Sequence, residues 1–300
     1  MLKSLYSGVS GMKSLQTKMD VVSNNIANVN TFGFKAGRVR FQDLMSQTEA
    51  SAQGPTVTGA GGVNARQVGL GVKVGAIATF TWNGTPPPTG RPLDIAIDAG
   101  GYFVLQKDSK DETKYYTRDG GFTLDSTGTL TNADGYKVMG YQTKGGAIKN
   151  DGKFDPNEDL EPNNVLGPLQ IKNKIEDADG KKINLVNYSI DSTGLVTGKY
   201  SDDNTYILGQ ISIATFSNPD GLEKVGGNNF VQSGNSGDPK MVRAGEDGSG
   251  RLVQGTLEGS NVDLANEFTE MIIASRAYQA NSRSITTSDE MLQELINLKR

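Results

Sequence analysis

Both ends of this 300-residue chain carry apolar stripes of helical period, while nearly everything between them reads as Gly-rich β structure. Near the start, Leu2, Leu5, Val9, Met12, Leu15, Met19, Val22, Ile26 and Val29 recur at gaps of three or four, the spacing that lines one side of a helix. Near the end, Leu264, Phe268, Met271, Ile272, Tyr278, Ile285, Leu292 and Leu295 do the same. Asn261 or Asp263 can cap that second helix, and Glu267 and Glu270 fall near its positive end. Such stripes need partners, and no third helix is legible between them. Periodicity alone also allows each stripe to pack on its own domain; with no helical partner elsewhere, the two ends are expected to pair as a coiled coil and to complete their burial against further copies of the chain. Gly8 and Gly11 weaken the first helix by on the order of 1 kcal/mol each relative to Ala, yet they permit close approach of a neighbouring helix.

Composition removes several kinds of chemistry. With no cysteine and no histidine, the chain has no disulfide, no thiolate nucleophile, no Cys or His zinc site and no His-based triad. A net charge of −4 gives no reason to expect nucleic acid. No apolar run approaches the ~20 residues of a membrane span. The first segment does not read as a cleaved secretory signal either, because its apolar residues lie along one face instead of forming a continuous run.

Asn24, Asn25, Asn28 and Asn30 precede Thr31, Gly33, Phe34 and Lys35. Asparagine tolerates left-handed backbone and bonds its own main chain, so this stretch should loosen the helix and turn the chain out of it. Residues 31–75 read as an extended arm. From about residue 76, short apolar runs alternate with turns, and Asp-Gly pairs start at Asp119, Asp134, Asp151, Asp179, Asp220 and Asp247, each a hairpin or turn signal. Leu124-Asp-Ser-Thr-Gly-Thr-Leu-Thr131 is echoed by Ile190-Asp-Ser-Thr-Gly-Leu-Val-Thr197, one hairpin unit used twice. Residues 146–206 are more acidic and read as an inserted segment. The expected class is thus mainly β with terminal α-helices: a helical domain from 1–30 and 263–300, an inner β domain from 76–145 and 207–262, and a smaller outer β domain at 146–206.

Several motifs, in order, carry a resemblance over nearly the full length except residues 146–206. They are Ser4-Leu-Tyr-Ser-Gly-Val-Ser-Gly-Met12, the Asn24-to-Lys35 run, Gly100-Gly-Tyr-Phe103, Tyr116-Thr-Arg-Asp-Gly-Gly-Phe122, Gly255-Thr-Leu-Glu-Gly-Ser-Asn-Val-Asp-Leu264 and Arg276-Ala-Tyr-Gln-Ala-Asn281. The chain resembles the bacterial flagellar hook and rod family of axial proteins, most closely its hook members. That resemblance implies a structural subunit of the tubular hook, the flexible joint passing motor torque to the filament, with a distal rod subunit of the basal body as the alternative. It implies a helical homopolymer that meets rod, hook-cap and hook–filament junction proteins, is delivered by the flagellar type III export apparatus without a cleaved signal, and resides in the extracellular flagellum with no membrane insertion. It also implies that Leu5, Val9, Met12, Met19, Ile26, Leu264, Phe268, Met271, Tyr278, Ile285 and Leu292 form the assembly interface.

Other classes fare worse. A carboxylate-pair glycan hydrolase would have to recruit Asp94, Asp98, Asp119 or Asp125, but these acids sit beside turn glycines or alternate along a strand, where solvated Asp is the default. No catalytic residue, cofactor or metal site is expected. Residues 151–159 are acid-rich but lack the order of a calcium loop. A surface adhesin would leave the terminal stripes without a purpose.

Overall fold

The computed structural model describes residues 2–55, 61–108, 113–143, 166–176, 182–202 and 204–298. The chain folds as two compact units. One comprises Met1–Val29, Ala36–Phe80 and Val262–Arg300; the other comprises Asn30–Lys35 and Thr81–Asn261.

The first unit holds helix α1 (Leu2–Ala27) and helix α2 (Leu264–Leu298). The asparagines end α1 as their chemistry predicts: the Asn28 amide is shared between the Asn24 and Asn25 carbonyls, and its side chain donates to the Asn24 carbonyl at 2.9 Å. Asp263 starts α2 by accepting from the Ala265 amide at 2.9 Å. Between the helices in sequence lie β1 (Gly37–Asp43), β2 (Gln47–Ala50), β3 (Arg66–Val68) and β4 (Val72–Thr79), with β1 antiparallel to β4 and β2 to β3. This corrects the expected extended arm, because residues 37–50 and 66–79 pair as ribbons within the helical unit. The Ser14 hydroxyl donates to the Val72 carbonyl at 3.4 Å, and the Val72 amide donates to Ser10 at the same distance. Val39, Phe41, Val72 and Val74 carry the alternation of strands, but interleaved glycines and charges dilute it below legibility.

The second unit is antiparallel β. Its strands are β5 (Ile95–Asp98), β6 (Tyr102–Gln106), β7 (Lys114–Thr117), β8 (Thr123–Leu124), β9 (Leu130–Thr131), β10 (Lys137–Gln142) and β11 (Leu166–Pro168). There follow β12 (Lys174–Glu176), β13 (Lys182–Ile190), β14 (Leu195–Tyr200), β15 (Thr205–Thr215), β16 (Glu223–Gly226), β17 (Asn229–Val231), β18 (Lys240–Arg243) and β19 (Arg251–Gln254). Among the described residues one sheet runs β12-β13-β14-β15-β10-β6-β7-β17-β16, and β19 pairs with β5 beside it. The middle of β6 is buried on both faces. Phe103 and Leu105 enter one cluster with Ile95, Phe122, Val138 and Ile211, while Tyr102 and Val104 enter another with Tyr116, Met139 and Phe230. Edge-to-face ring pairs, Phe103–Phe122 at 5.1 Å and Tyr116–Phe216 at 4.8 Å, tighten the two faces.

The repeated octapeptide folds the same way twice. In both copies the Asp amide donates to the carbonyl four residues on, and a glycine at φ near +80° returns its amide to the Asp carbonyl. The expected boundary at residue 206, however, is not where the fold divides. β15 pairs with β14 through Thr205–Gln210, with β10 through Gly209–Ile211 and with β18 through Ser212–Thr215, so one strand serves both regions. Leu169, Ile171, Ile190 and Val196 join the cluster of Phe103, so the described part of 146–206 shares one core with the inner domain. Ile183, Tyr200 and Tyr206 form a further small cluster among its described residues. The acidic stretch 151–161, and the Asp-Gly pairs at Asp151 and Asp179, lie outside the described residues.

Candidate assembly surface

Contacts between α1 and α2 descend in step. The Ser4 and Ser288 hydroxyls lie 3.4 Å apart, a Cβ at Gly8 would sit 2.9 Å from Ile285, one at Gly11 would sit 2.9 Å from Asn281, Lys18 pairs with Glu270, and Asn25 donates to Glu267 at 3.1 Å. The helices therefore run antiparallel. Ser4, Gly8, Gly11, Lys18, Val22 and Asn25 line this side of α1, and Glu267, Met271, Ala274, Asn281, Ile285 and Ser288 line the facing side of α2, both with gaps of three, four or seven. The seam is made mostly of small and polar residues. Glycine allows the close approach that a larger residue would block, and Val22 and Ala274 are the fully buried apolar side chains along it.

Most of the predicted apolar stripe lies one step round α1 from this seam, with Val22 shared between the two. Val9 is 52% exposed and Phe268 50%, with Ile272 at 62%. Leu264 and Tyr278 are also exposed, whereas Leu5, Met12, Met19, Ile26, Met271, Ile285 and Leu292 are half-buried. The structure thus brings Ile285 to the α1–α2 seam and leaves Val9, Leu264 and Phe268 exposed. Sequence reading missed Ser14, Asn281 and Ser288, because apolar periodicity does not register small polar residues. The four-three spacing of Gly8 and Gly11 with Ser4 was the available signal.

The Asn-to-Lys motif does two separate things. In the helical unit, buried Asn25 clamps Gly37, donating to its carbonyl at 2.8 Å and accepting from its amide at 3.0 Å. Glu267, beside it, has its carboxyl raised by burial and by Glu270, against the hydrogen bond from Asn25. In the β unit, Gly33 adopts φ +68° and donates its amide to the Glu258 carbonyl at 2.8 Å. A Cβ there would lie 2.8 Å from the Asp119 nitrogen, so the position demands glycine. Asn30 is exposed, Thr31 accepts the Phe34 amide through its carbonyl, and the Phe34 ring lies under the Lys224 ammonium at 5.2 Å.

Lys35 is buried and donates to Glu258 at 2.5 Å and to the Trp82 carbonyl at 2.9 Å. Glu258 also accepts from Arg118 at 3.1 Å, and Arg118 stacks on Tyr102 at 5.2 Å. Burial draws the Lys35 ammonium below the usual lysine range against the opposing pull of Glu258.

The nominated acids have structural employment. Asp125 accepts from the Thr127 and Thr129 amides at 2.8 Å in its hairpin turn, and Asp119 accepts from the Gly121 amide at 3.0 Å. Asp94 pairs with Arg91 at 3.6 Å, and Asp98 is an exposed strand end in register with Arg251. Among the described residues there is no cluster of acids able to hold a metal, and no helix is long and apolar enough to cross a membrane.

Comparison with known proteins places these features. Three family models match: the flagella basal body rod protein family at residues 5–35, the flagellar hook protein FlgE/F/G D1 domain at 96–198, and the flagellar basal body rod FlgEFG protein C-terminal family at 253–298. The chain is 48% identical over 303 residues to the flagellar basal-body rod protein FlgG of Bacillus subtilis, and 36% identical over 301 residues to that of Borreliella burgdorferi, in each case covering the whole of both chains. It is 31% identical over an alignment of 445 residues, again covering both chains, to the flagellar hook protein FlgE of Borreliella burgdorferi. A shared full-length pattern at this identity, with the motifs around Asn25, Lys35 and Glu258 inside the matched segments, settles kinship: the chain belongs to the flagellar hook and basal-body rod family, whose members are structural proteins of the flagellum and not enzymes.

Proposed function

We propose that this chain is a subunit of the distal rod of the flagellar basal body. The observation that carries the reading is length together with identity. The FlgG alignment spans 303 positions against a chain of 300, whereas the FlgE alignment runs to 445, so much of that hook relative has no counterpart here. The hook subunit expected from the motifs alone therefore gives way to the rod alternative.

Assembly proceeds through the outward faces of α1 and α2. Val9, Phe268 and Ile272 are left exposed by the antiparallel pair, and burying one such side chain is worth ~1.5 to 3 kcal/mol. Head-to-tail contacts that do not close on themselves generate helical filaments. In the tube the half-buried Leu5, Met12, Met19 and Ile26 pack against neighbouring helices, and the four-three spacing of the seam lets α1 and α2 wind as a coiled coil. The partners are further copies of the chain and the adjoining axial proteins, reached through the flagellar export apparatus. Electron microscopy of polymer grown from the purified chain tests this. Straight, rigid tubes are expected; curved, compliant tubes would return the protein to the hook class, and a persistent monomer would remove it from both.

A further inference from the structure

The chain passes between its two units at four junctions, after Val29, Lys35, Phe80 and Asn261. Residues beside three of these meet at one place inside the β unit. The Lys35 ammonium donates to the Trp82 carbonyl at 2.9 Å and to Glu258 at 2.5 Å, and the Asn261 side chain donates to the same Trp82 carbonyl at 3.1 Å. The Gly33 amide reaches the Glu258 carbonyl at 2.8 Å. Behind them, Arg118 joins the Glu258 carboxylate at 3.1 Å to the Ala99 carbonyl at 2.7 Å, which also accepts from Asn83 at 3.2 Å. Ala99 is held at φ +124°, a conformation that costs a residue with a Cβ and persists only where its surroundings impose it.

Lys35, Glu258 and Arg118 are each at most 3% exposed along their side chains. Two cations around one carboxylate, withdrawn from water, are a poor way to add stability, since well-packed apolar side chains often do as well or better. What the arrangement supplies is direction, because Lys35 joins its own segment to the Trp82 carbonyl and to Glu258 on two other segments, and Asn261 reaches the same Trp82 carbonyl. We propose that Lys35, Glu258 and Arg118 form a clasp that fixes the course of the connecting segments where they enter and leave the β unit, with Lys35 and Glu258 as positioning residues for assembly. The inference holds for a rod or a hook subunit alike.

Trp82 is the only tryptophan of the chain and its carbonyl is held by the clasp, so its fluorescence reports the mobility of that segment. Lys35→Met keeps most of the stem, removes the ammonium and leaves Glu258 paired with Arg118. In the full-length variant the anisotropy of Trp82 should fall, and amide exchange at Gly33 and at Gly259, whose amide donates to the Thr85 carbonyl at 3.2 Å and so ties the Glu258 segment to that of Trp82, should quicken by about tenfold or more, while the core amides of Leu105 and Ile213 keep their protection. Unchanged Trp82 and Gly33 signals would reduce Lys35 to a space-filler, and core amides quickening in the same proportion would make it a core element; either result overturns the clasp. If the variant does not fold, exchange in the unaltered protein decides, because the Gly33 and Gly259 amides must open together as one event separate from the core. Independent opening would refute the proposal.

Discussion

The two units reach stability by opposite routes. In the β unit, Phe103, Val104, Leu105, Val138, Ile211 and Ile213 are completely buried and aromatic rings interlock. In the helical unit the buried hydrophobic residues among those described are Val22, Ala36, Val39 and Ala274, while Val9, Phe268, Ile272 and Ile273 are at least half exposed. One unit has spent its apolar surface internally. The other joins its helices through glycine, serine and asparagine and keeps its largest apolar side chains outward, which is the distribution expected of a surface reserved for neighbours.

That contrast can be broken most decisively by Val9→Asp or Phe268→Asp. A carboxylate forced into an apolar interface costs several kcal/mol unless it is paired, and every subunit would repeat the cost. Polymerisation and motility should be abolished while the melting temperature of the β unit stays the same; loss of β-unit cooperativity would mean that the outward face is an internal core. Phe103→Ala makes the reverse test. It should destabilise the β unit by ~3 to 5 kcal/mol, read as a lowered denaturation midpoint, and leave helix content until that unit melts.

Alkaline titration should separate the units without mutation. Burial pushes the Tyr116 phenol up to about 12, and Tyr102 and Tyr200 are raised for the same reason. A folded pKa above the unfolded one contributes stability that is whole below about pH 10 and is lost as the pH climbs toward 12. For Tyr116 the loss is on the order of 2 to 3 kcal/mol, and Tyr116→Phe should remove that share of the pH dependence as followed by circular dichroism. The smallest effect is expected at Gly11→Ala. The new methyl would lie 2.9 Å from the Asn281 side chain. The gain in helix propensity, ~1 kcal/mol, should be offset by a seam forced apart, leaving monomer stability within about 1 kcal/mol of the original while polymer yield falls. Unaltered polymer yield would show that the close approach at Gly11 is dispensable.

How much of this was legible in the sequence follows from what periodicity can register. Both helices could be read because apolar residues recur at three and four, and the paired hairpins because Asp125 and Asp191 open identical turns. The α1–α2 seam could not, since Ser4, Gly8, Gly11, Asn281 and Ser288 contribute closeness instead of hydrophobicity. The boundary near residue 206 misled because the run Thr205–Thr215 looks like the resumption of one domain, when it is a single strand long enough to change partners along its length. Lys35 and Glu258 are 223 residues apart, and no local pattern links them. The choice between hook and rod was not a matter of chemistry at all, but of how much chain lies between shared motifs.

The antiparallel pairing of α1 with α2 also sets an order of events. Its two halves lie on either side of the β unit in sequence, so a growing chain can finish that unit while α1 still lacks the partner that Ser288, Ile285 and Asn281 will bring. Closing so long a loop from disordered chain carries an entropic cost that grows with loop length, and a β unit already folded shortens the effective distance. The α1–α2 pair is thereby completed only after the β unit, and a chain interrupted before α2 leaves α1 without the seam that shapes it.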